Sequence, residues 1–473
     1  MIKFLMIILN IFFVMFTGKP LTGEPSLSER AQEQRAKWGI ATDALDYPVN
    51  AAYLDSLRAA GATIHHTSRW FNGATVEMTD AQAAQVAQMP FVASVETTRD
   101  NSAPIYGPKR MRRQHATVSG ERLAVSGNWT DEQLALYNLT PLHQAGHKGQ
   151  GILMTVCDGG FTNANTMSCF RQSQELGHFD FTDDTDGFYG WTGVHGTECL
   201  STISGITDGY YGAAPEADYY LMRSEEDATE SPKEMDNLVA ALEKADSLGV
   251  NVFSVSLGYA MFDNGDWDLN KETDLDGVTT RVSRAATIAA RKGMLVVVAA
   301  GNEGNDPWGT ISAPADADSI LTVGAVDTNG TIGYFSSYGP SSDGRIKPEV
   351  CAVGVQTTLI YPNGTIVTSN GTSFATPLLA GLAASLWSAL PDENAMQIRE
   401  RIIRSADRYT HPDTNRYEYG YGIPDAWEAY KGEWLSVSGE RMEHQAQKIL
   451  RDGQILILRN GKTYTVSGME IGD

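Results

Sequence analysis

Residues 151–160, GILMTVCDGG, form an apolar run that ends in an acidic residue and two glycines. Strands that are apolar throughout are buried on both faces of a sheet, and strands that alternate with helices form parallel sheets. Further apolar runs lie at 219–223, 250–256, 294–299 and 319–325, and helical patterns lie at 234–248, 280–292 and 372–390. The sequence therefore predicts an α/β fold, a doubly wound parallel sheet with helices on both faces, whose site lies at the carboxyl ends of the strands.

The bulk composition indicates an acidic globular protein with more than one domain. The chain has 473 residues, of which 42% are hydrophobic and 20% are charged, and its net charge is -22 at pH 7. A chain of this length usually divides into roughly two or three domains. Nucleic-acid binding depends on Lys and Arg side chains that neutralise phosphates, so we expect no nucleic-acid partner.

The first residues have the pattern of an export signal. Lys3 precedes an apolar run from Phe4 to Phe16, which has the length of a signal-peptide core and is short for a membrane span. This predicts a signal peptide over residues 1–23, cleaved between Gly18 and Pro25. We therefore expect a secreted or extracytoplasmic product, in the periplasm or at the cell surface included, with no membrane attachment after cleavage.

Four regions follow the predicted signal peptide. The pattern over 48–98 runs helix, strand, strand, helix, strand, which predicts a small ferredoxin-like α+β domain over residues 35–100. Residues 101–136 begin with a basic, proline-containing stretch typical of an exposed linker. The α/β domain spans 137–433. In the tail, 434–473, an Asn-Gly pair between two β-prone runs predicts a short β-hairpin.

Two candidate acid–base residues follow from local pattern. Asp158 ends the first apolar run beside two glycines, which suits a carboxylate that orients a partner while partly desolvated. His195 begins a helical pattern, and an imidazole, whose ordinary pKa is about 6.5, can take and return a proton. Alone, the aspartate is also typical of a turn and the histidine of an ordinary structural residue.

Two further candidates lie in glycine-rich loops. Ser373, in the stretch NGTSFATP, opens the helical pattern 372–390, where free backbone N–H groups stabilise developing negative charge. An N-capping serine is the alternative interpretation, but it does not explain the rest of the octet. Asn302 follows the run 294–299 and can present its amide as an oxyanion donor, or serve only as a turn residue.

Together these four segments resemble the subtilisin-like serine proteases, which have the chain order Asp, His, Ser. The similarity extends from about residue 149 to 427 and includes the stretches SLG at 256–258 and FSSYGP at 335–340. The resemblance implies that Ser373 is the nucleophile, His195 the general base and then acid, and Asp158 the residue that fixes the imidazole tautomer. It implies that Asn302 and the Ser373 N–H hold the oxyanion, and that catalysis requires no cofactor.

The same resemblance assigns a substrate cleft and thus protein or peptide substrates. The segment that pairs with an extended substrate and the wall of the first specificity pocket are Ser256, Leu257, Gly258, Ala299, Ala300 and Gly301. Glu303 and the acidic stretch 225–227 favour basic residues in neighbouring subsites. One departure is Gly159, where the family more often has a Thr or Ser beside the aspartate.

The N-terminal α+β domain resembles the inhibitory propeptides of this family. The resemblance implies a zymogen whose propeptide inhibits its own catalytic domain, with maturation between Arg99 and Arg113, near Tyr106 or at the basic cluster. We expect a monomer. The tail resembles the C-terminal hairpins of exported Bacteroidetes-like proteins, related to type IX sorting tails, and a docking hairpin is the alternative.

Calcium is common in the family, and acidic loops supply the oxygen ligands that it prefers. The candidate ligands are Asp180, Asp183, Asp184 and Asp186. A solvated acidic loop without an ion is the alternative interpretation. Cys199, one helical turn after His195, falls where some members keep a buried cysteine, and we expect Cys157 to be buried too.

Two other functions fit parts of the pattern. A binding module with this fold would hold peptides without cutting them, but it has no need of His195, Asn302 and Ser373 together. An esterase would share the catalytic groups, but a peptide-pairing segment at 256–258 is superfluous for a small ester. The loss of peptide hydrolysis on Ser373→Ala distinguishes a peptidase from a binding module, which keeps its affinity.

Overall fold

A computed structural model describes residues 8–101, 128–182, 187–190, 193–226, 230–410 and 415–433, and the backbone of four strands in the C-terminal tail. The chain forms two compact units, Met1–Tyr430 and Lys431–Asp473. The predicted maturation stretch after Asn101 lies outside the described residues. No helix in the described part is both long and apolar enough to cross a bilayer.

The N-terminal domain is a four-stranded antiparallel sheet with strand order β2-β3-β1-β4. Its elements are β1 (Asn10–Phe16), α1 (Glu29–Trp38), α2 (Ala51–Ala59), β2 (Thr63–Ser68), β3 (Gly73–Met78), α3 (Asp80–Val86) and β4 (Val92–Arg99). Apart from α1, this is the order of a ferredoxin-like domain, with helices α2 and α3 as crossovers. The structure thus confirms the predicted α+β architecture of this region.

Strand β1 corrects the prediction of a signal peptide over residues 1–23. Residues 10–16 form a central strand, paired with β3 on one side and β4 on the other. Phe12, Val14 and Phe16 belong to the core of the N-terminal domain, whereas the Phe13 ring lies 3.9 Å from the Arg281 guanidinium. Because both faces of the strand are covered, its sequence is apolar throughout, and the domain begins at β1 rather than at residue 35.

The second domain is built on a seven-stranded parallel sheet with strand order β13-β12-β11-β10-β5-β9-β6. Its strands are β5 (Leu153–Asp158), β6 (Glu175–Asp180), β9 (Asp218–Arg223), β10 (Val252–Val255), β11 (Leu295–Ala299), β12 (Leu321–Val326) and β13 (Val350–Val353). All six neighbouring pairs run parallel. The five apolar runs of the sequence correspond to β5, β9, β10, β11 and β12, to which the structure adds β6 and β13 at the two edges, and this confirms the predicted doubly wound fold.

Helices pack on both faces of this sheet. Leu238 and Leu242 of α7 and Val282 of α8 share one core with Phe253 and Val296 of the strands. Helix α9 packs on β10 to β13, and α6 packs against α9 and β5. The helices are α4 (Asp131–Ala135), α5 (Thr140–Gln144), α6 (Val194–Ser204), α7 (Pro232–Leu248), α8 (Arg281–Arg291), α9 (Thr372–Ala389), α10 (Ala395–Arg404), α11 (Arg416–Tyr419) and α12 (Ala426–Lys431).

Shorter elements complete the description. Two small antiparallel pairs are β7 (Ile206–Thr207) with β8 (Tyr210–Tyr211), and β14 (Thr357–Ile360) with β15 (Ile366–Ser369). The tail is a four-stranded sheet of β16 (Gln447–Arg451), β17 (Gln454–Arg459), β18 (Lys462–Thr465) and β19 (Glu470–Ile471). Strands β17 and β18 are antiparallel neighbours at the position of the predicted hairpin, to which the structure adds a strand on either side.

Candidate active site

The predicted site residues meet at the carboxyl edge of the parallel sheet. Asp158 is the last residue of β5, and Ser256 and Ala300 directly follow β10 and β11. These neighbouring strands are parallel, so their ends lie side by side. His195 and Ser373 are each the second residue of a helix, α6 and α9 respectively. This is the edge where a doubly wound fold places its functional sites.

Asp158 and His195 form a buried hydrogen-bonded pair. The imidazole Nδ1 lies 2.9 Å and 2.8 Å from the two carboxylate oxygens of Asp158. Asp158 is fully buried and His195 is 4% exposed. The carboxylate holds the proton on Nδ1, which leaves Nε2 as the nitrogen that can accept one. A side chain at Gly196 would lie 2.2 Å from the Gly160 carbonyl oxygen, so only glycine lets α6 approach this close.

Ser373 lies at the N-terminus of α9 and is 7% exposed. Its hydroxyl is 3.4 Å from the Ser256 carbonyl oxygen, and the Ser256 hydroxyl donates to the Ser373 carbonyl at 2.7 Å. The Cys199 thiol also donates to that carbonyl, at 3.3 Å, and its sulfur lies 3.8 Å from His195 Nδ1. Cys199 thus packs between the histidine and the serine segment, which confirms its predicted burial. Asp158, His195, Cys199 and Ser373 are called the catalytic cluster below.

Asn302 is fixed by the residue before the serine. Its Oδ1 accepts hydrogen bonds from the backbone N–H and the hydroxyl of Thr372, at 2.9 Å and 3.0 Å. With the oxygen occupied in this way, the side-chain NH₂ is the group left to donate to a ligand. The sequence reasoning missed the role of Thr372, for which the only signal was its place in the octet around Ser373.

Two backbone segments and one further loop surround the approach to Ser373. Ser256 and Leu257 are buried and Gly258 is exposed, whereas Ala299 and Ala300 are buried and Gly301 is half-buried. A side chain at Gly258 would lie 3.0 Å from the Ser312 side chain, and the Ser312 N–H donates to the Ala300 carbonyl at 3.3 Å. Ser312 therefore contacts both segments, although no motif in the sequence pointed to it.

Glu303 lies over the glycine of the pocket wall. A Cβ on Gly301, whose φ is +114°, would lie 2.4 Å from the Glu303 carboxylate and 2.8 Å from the Ser337 hydroxyl. That hydroxyl donates to the carboxylate at 3.0 Å. Burial raises the pKa of Glu303 above its usual value. The structure thus places this acidic side chain against Gly301, whereas its effect on substrate choice stays a prediction.

Glu198 is a second carboxyl near the triad, which sequence reasoning missed. It lies on α6, one turn after His195, and is 3% exposed. Its Oε2 has no hydrogen-bond partner among the described residues. Burial, together with the charge of Asp158, raises the pKa of Glu198 to about 7. The only sequence signal was a glutamate in an otherwise uncharged helix.

The structure tests the prediction for the cysteines, but it describes only one of the four candidate calcium ligands. All four cysteines are buried and none forms a disulfide, so the expected burial of Cys157 is confirmed. Asp180, the last residue of β6, accepts two hydrogen bonds from Thr182, and its other oxygen lies 3.7 Å from Arg223. The other candidate ligands, Asp183, Asp184 and Asp186, lie outside the described residues. Calcium binding stays a prediction.

The N-terminal domain packs against α7 through a buried carboxylate. Glu243 accepts hydrogen bonds from the Ser68 hydroxyl at 2.5 Å, from the Arg69 N–H at 2.9 Å and from the Trp70 N–H at 3.2 Å. Glu243 is 4% exposed. Desolvation raises its pKa, although the positive charge of Arg69 opposes that effect. One residue of α7 therefore fixes the end of β2 and the turn that follows it.

Ion pairs extend this contact. Arg69 Nη2 lies 2.5 Å from one oxygen of Asp246, and Arg35 of α1 lies 2.7 Å from the other. Arg35 also pairs with Asp46 at 2.6 Å, and Lys292, which follows α8, lies 3.0 Å from the other Asp46 oxygen. Together with Glu243, these five residues are called the docking network. The network joins α1 and the β2–β3 hairpin to the helical face of the second domain.

Comparison with known proteins agrees with this geometry. The model of the subtilase family matches residues 149–422, and the model of the peptidase S8 propeptide domain of Bacteroidota matches residues 12–116. Subtilisin DY from Bacillus licheniformis is 30% identical over 285 residues, which cover 59% of this chain and 90% of that protein. Subtilisin Savinase from Lederbergia lenta is 29% identical over 286 residues, covering 60% and 92%.

A solved structure shares the fold. The crystal structure of MycP1 from Mycobacterium smegmatis superposes with a TM-score of 0.52 at 24% identity, and covers 67% of this chain and 89% of that chain. The propeptide match begins inside β1, in agreement with the corrected start of the N-terminal domain. Since the matched subtilase region exceeds half of the chain, this protein belongs to the subtilase family of serine peptidases and carries its own propeptide domain.

Proposed function

We propose that this chain is the zymogen of an endopeptidase that cleaves peptide bonds with Ser373 as its nucleophile. The observation that carries the proposal is the Asp158–His195 pair, with Nδ1 at 2.8 Å and 2.9 Å from the carboxylate oxygens, beside a serine at a helix N-terminus. A carboxylate that holds Nδ1–H prepares Nε2 to take the serine proton and to stabilise the imidazolium that forms.

The proposed reaction has two halves. Ser373 Oγ attacks the scissile carbonyl carbon while His195 Nε2 takes the hydroxyl proton, and His195 then gives that proton to the leaving amine. Water then enters and attacks the acyl carbon while His195 Nε2 takes its proton. The bond between that carbon and Ser373 Oγ breaks, the acid product leaves, and His195 returns the proton to Oγ. The Asn302 NH₂ group and the Ser373 N–H are the proposed donors to the oxyanion in both halves, because the Asn302 oxygen is already occupied by Thr372.

Substrate alignment and self-processing complete the proposal. An extended peptide would lie along 256–258, beside the serine, with its first side chain between that segment and 299–301. The propeptide strand β4 ends at Arg99, from which the chain continues into the predicted maturation stretch. A secreted location stays a prediction, and it has lost its support in residues 10–16, because those residues are part of the propeptide.

The test is labelling of the full chain with a fluorophosphonate probe, combined with intact mass measurement. We expect wild type to be labelled on a species that lacks the propeptide, and Ser373→Ala to remain unlabelled and full-length. Ser388→Ala is the matched control, because Ser388 lies on the same helix and its hydroxyl donates to the Ser385 carbonyl. Loss of the nucleophile in a triad of this kind costs about 10⁶-fold in kcat.

Two outcomes would reject parts of the proposal. Equal labelling of Ser373→Ala and wild type would show that Ser373 is not the nucleophile. Peptide binding without hydrolysis by wild type would favour the binding module. A third variant, Asn302→Ala, tests the oxyanion donor. Its expected effect is a loss of about 10²- to 10³-fold in kcat with little change in KM.

A further inference from the structure

Glu226 lies close to the catalytic cluster without belonging to it. It follows β9, whose last residue, Arg223, pairs in register with Asp158. The Ser224 N–H donates to the Asp158 carbonyl at 3.1 Å, so the backbone here continues alongside the triad strand. Glu226 therefore lies three residues beyond the end of β9, the strand next to β5, at the same edge of the sheet as Asp158.

The partner of Glu226 is supplied by the propeptide. Arg99 is the last residue of β4, and its Nη1 lies 2.6 Å from Glu226 Oε2. The Arg99 Nε donates to the Asn101 side chain at 2.9 Å, which orients the guanidinium. Because Arg99 precedes the predicted maturation stretch, its side chain lies on the N-terminal side of the bond that would be cut. A propeptide arginine thus occupies an acidic position of the catalytic domain.

The acidic position is built by the catalytic domain itself. Glu226 is 3% exposed, and its backbone N–H donates to Glu234 Oε1 at 2.8 Å. Its other carboxylate oxygen pairs with Lys233, which is fully buried. Glu225, beside it, accepts a hydrogen bond from the Tyr259 hydroxyl at 2.6 Å. Glu226 thus pairs through one oxygen with Lys233 of its own domain and through the other with Arg99 of the propeptide.

We propose that Glu226 recognises an arginine or lysine side chain of the substrate, on the N-terminal side of the scissile bond, and that Arg99 occupies this subsite in the zymogen. The inference rests on the proposed peptidase function and names the class of substrate that the site selects. A substrate that enters after the propeptide leaves meets the same carboxylate, with Lys233 and Glu234 still holding it in place. A charge-assisted pair with a guanidinium selects against neutral residues of equal length.

The experiment compares peptides on the enzyme matured from the full chain. Internally quenched peptides carry arginine, lysine, glutamine or glutamate at one position at a time on the N-terminal side of the scissile bond, and kcat/KM is measured. We expect wild type to prefer arginine to glutamine by about 10-fold or more at one position, and higher salt to reduce that preference. In Glu226→Gln we expect the preference to vanish, because the neutral amide offers no charge to the guanidinium.

Three controls separate the possible results. Arg99→Gln, which changes only the propeptide, should leave the peptide preference as in wild type. Glu226→Arg should reverse the preference toward glutamate peptides, and fluorophosphonate labelling of each variant shows that its active site is folded. An arginine preference that persists in labelled Glu226→Gln, or no preference in labelled wild type, would show that Glu226 only docks the propeptide. Absence of both labelling and hydrolysis in wild type would instead reject the peptidase function and this inference with it.

Discussion

The catalytic cluster and the docking network are both buried, but they differ in the number of charged groups that they contain and in how those groups are paired. In the catalytic cluster, one carboxylate, Asp158, is held against a histidine, and the other members are a thiol and a hydroxyl. In the docking network each cation lies within 3.0 Å of a carboxylate, as Arg35 does with Asp46 and Asp246.

This difference in charge pairing matches the different roles of the two regions when the propeptide is removed. A buried ion pair gains little net free energy, because the attraction between its partners is offset by their desolvation. The residues of the docking network lie on both sides of the contact between the propeptide and the catalytic domain, so when the propeptide leaves, both partners regain water. Such an interface is specific in its geometry and still separable. The catalytic cluster lies wholly within the catalytic domain and keeps its arrangement.

The largest expected effect comes from breaking the docking network on one side. Glu243→Ala leaves the Ser68 hydroxyl and two backbone N–H groups without their acceptor in a buried place. We expect the free energy of unfolding of the full chain to fall by roughly 3–5 kcal/mol. The measurement is denaturant unfolding in the Ser373→Ala background, which prevents self-digestion. A loss as small as that of a surface substitution would mean that the network is not buried in solution.

An effect of intermediate size on the free energy of unfolding is expected from Glu198, the buried carboxyl next to the catalytic cluster. The pKa of Glu198 is raised to about 7 by burial, so between its ordinary value and pH 7 the folded state binds more protons than the unfolded state. Stability contributed by this group therefore falls as pH rises through that window and is constant above it. A shift of this size corresponds to roughly 3 kcal/mol.

The variant Glu198→Gln tests this pH dependence, because the amide does not ionise. Relative to the parent, we expect it to gain roughly 3 kcal/mol of stability between about pH 4.5 and pH 8. Denaturant unfolding of both proteins at the two pH values measures the difference. Parallel pH profiles for the two proteins would show that this carboxyl is not buried as a lone acid beside Asp158.

The smallest effect on the free energy of unfolding is expected from an exposed ion pair at the edge of the contact between the propeptide and the catalytic domain. Lys37 lies 3.6 Å from Asp392, and both side chains are largely exposed, at 47% and 98%. Since an exposed ion pair is screened by water and salt, Lys37→Ala should change the free energy of unfolding by less than about 1 kcal/mol. The same unfolding assay measures it. An effect comparable to that of Glu243→Ala would show that exposed and buried ion pairs in this interface contribute equally to the free energy of unfolding.

Sequence pattern predicted five of the seven strands of the parallel sheet, because the central strands are buried and mostly apolar. The run 151–157 became β5 at Leu153–Asp158, and the helical pattern 372–390 became α9 at Thr372–Ala389. The meeting of Asp158, His195 and Ser373 at one edge of the sheet was predictable because each of them stands in a local motif. Ser312 was not, because it contacts the segments 256–258 and 299–301 from a loop with no motif of its own.

The main error concerned β1, and it has a physical cause. A short apolar run at the start of a chain is typical both of a signal peptide and of a strand covered on both faces. Only the tertiary structure distinguishes the two, by placing Phe12 in the propeptide core and Phe13 against Arg281. The alternation that marks a half-buried strand is absent here, because the catalytic domain covers the second face.

The central position of β1 also fixes the order in which the propeptide can fold during synthesis. Ile11 pairs with Glu77 of β3 and with Arg99 of β4, so the first strand of the propeptide sheet cannot complete its pairing until the last strand has been synthesised. The propeptide sheet cannot close until residue 99 is available. A recombinant chain started at residue 24, as if the preceding residues were disposable, would leave β3 and β4 as two open edges that pair with other chains.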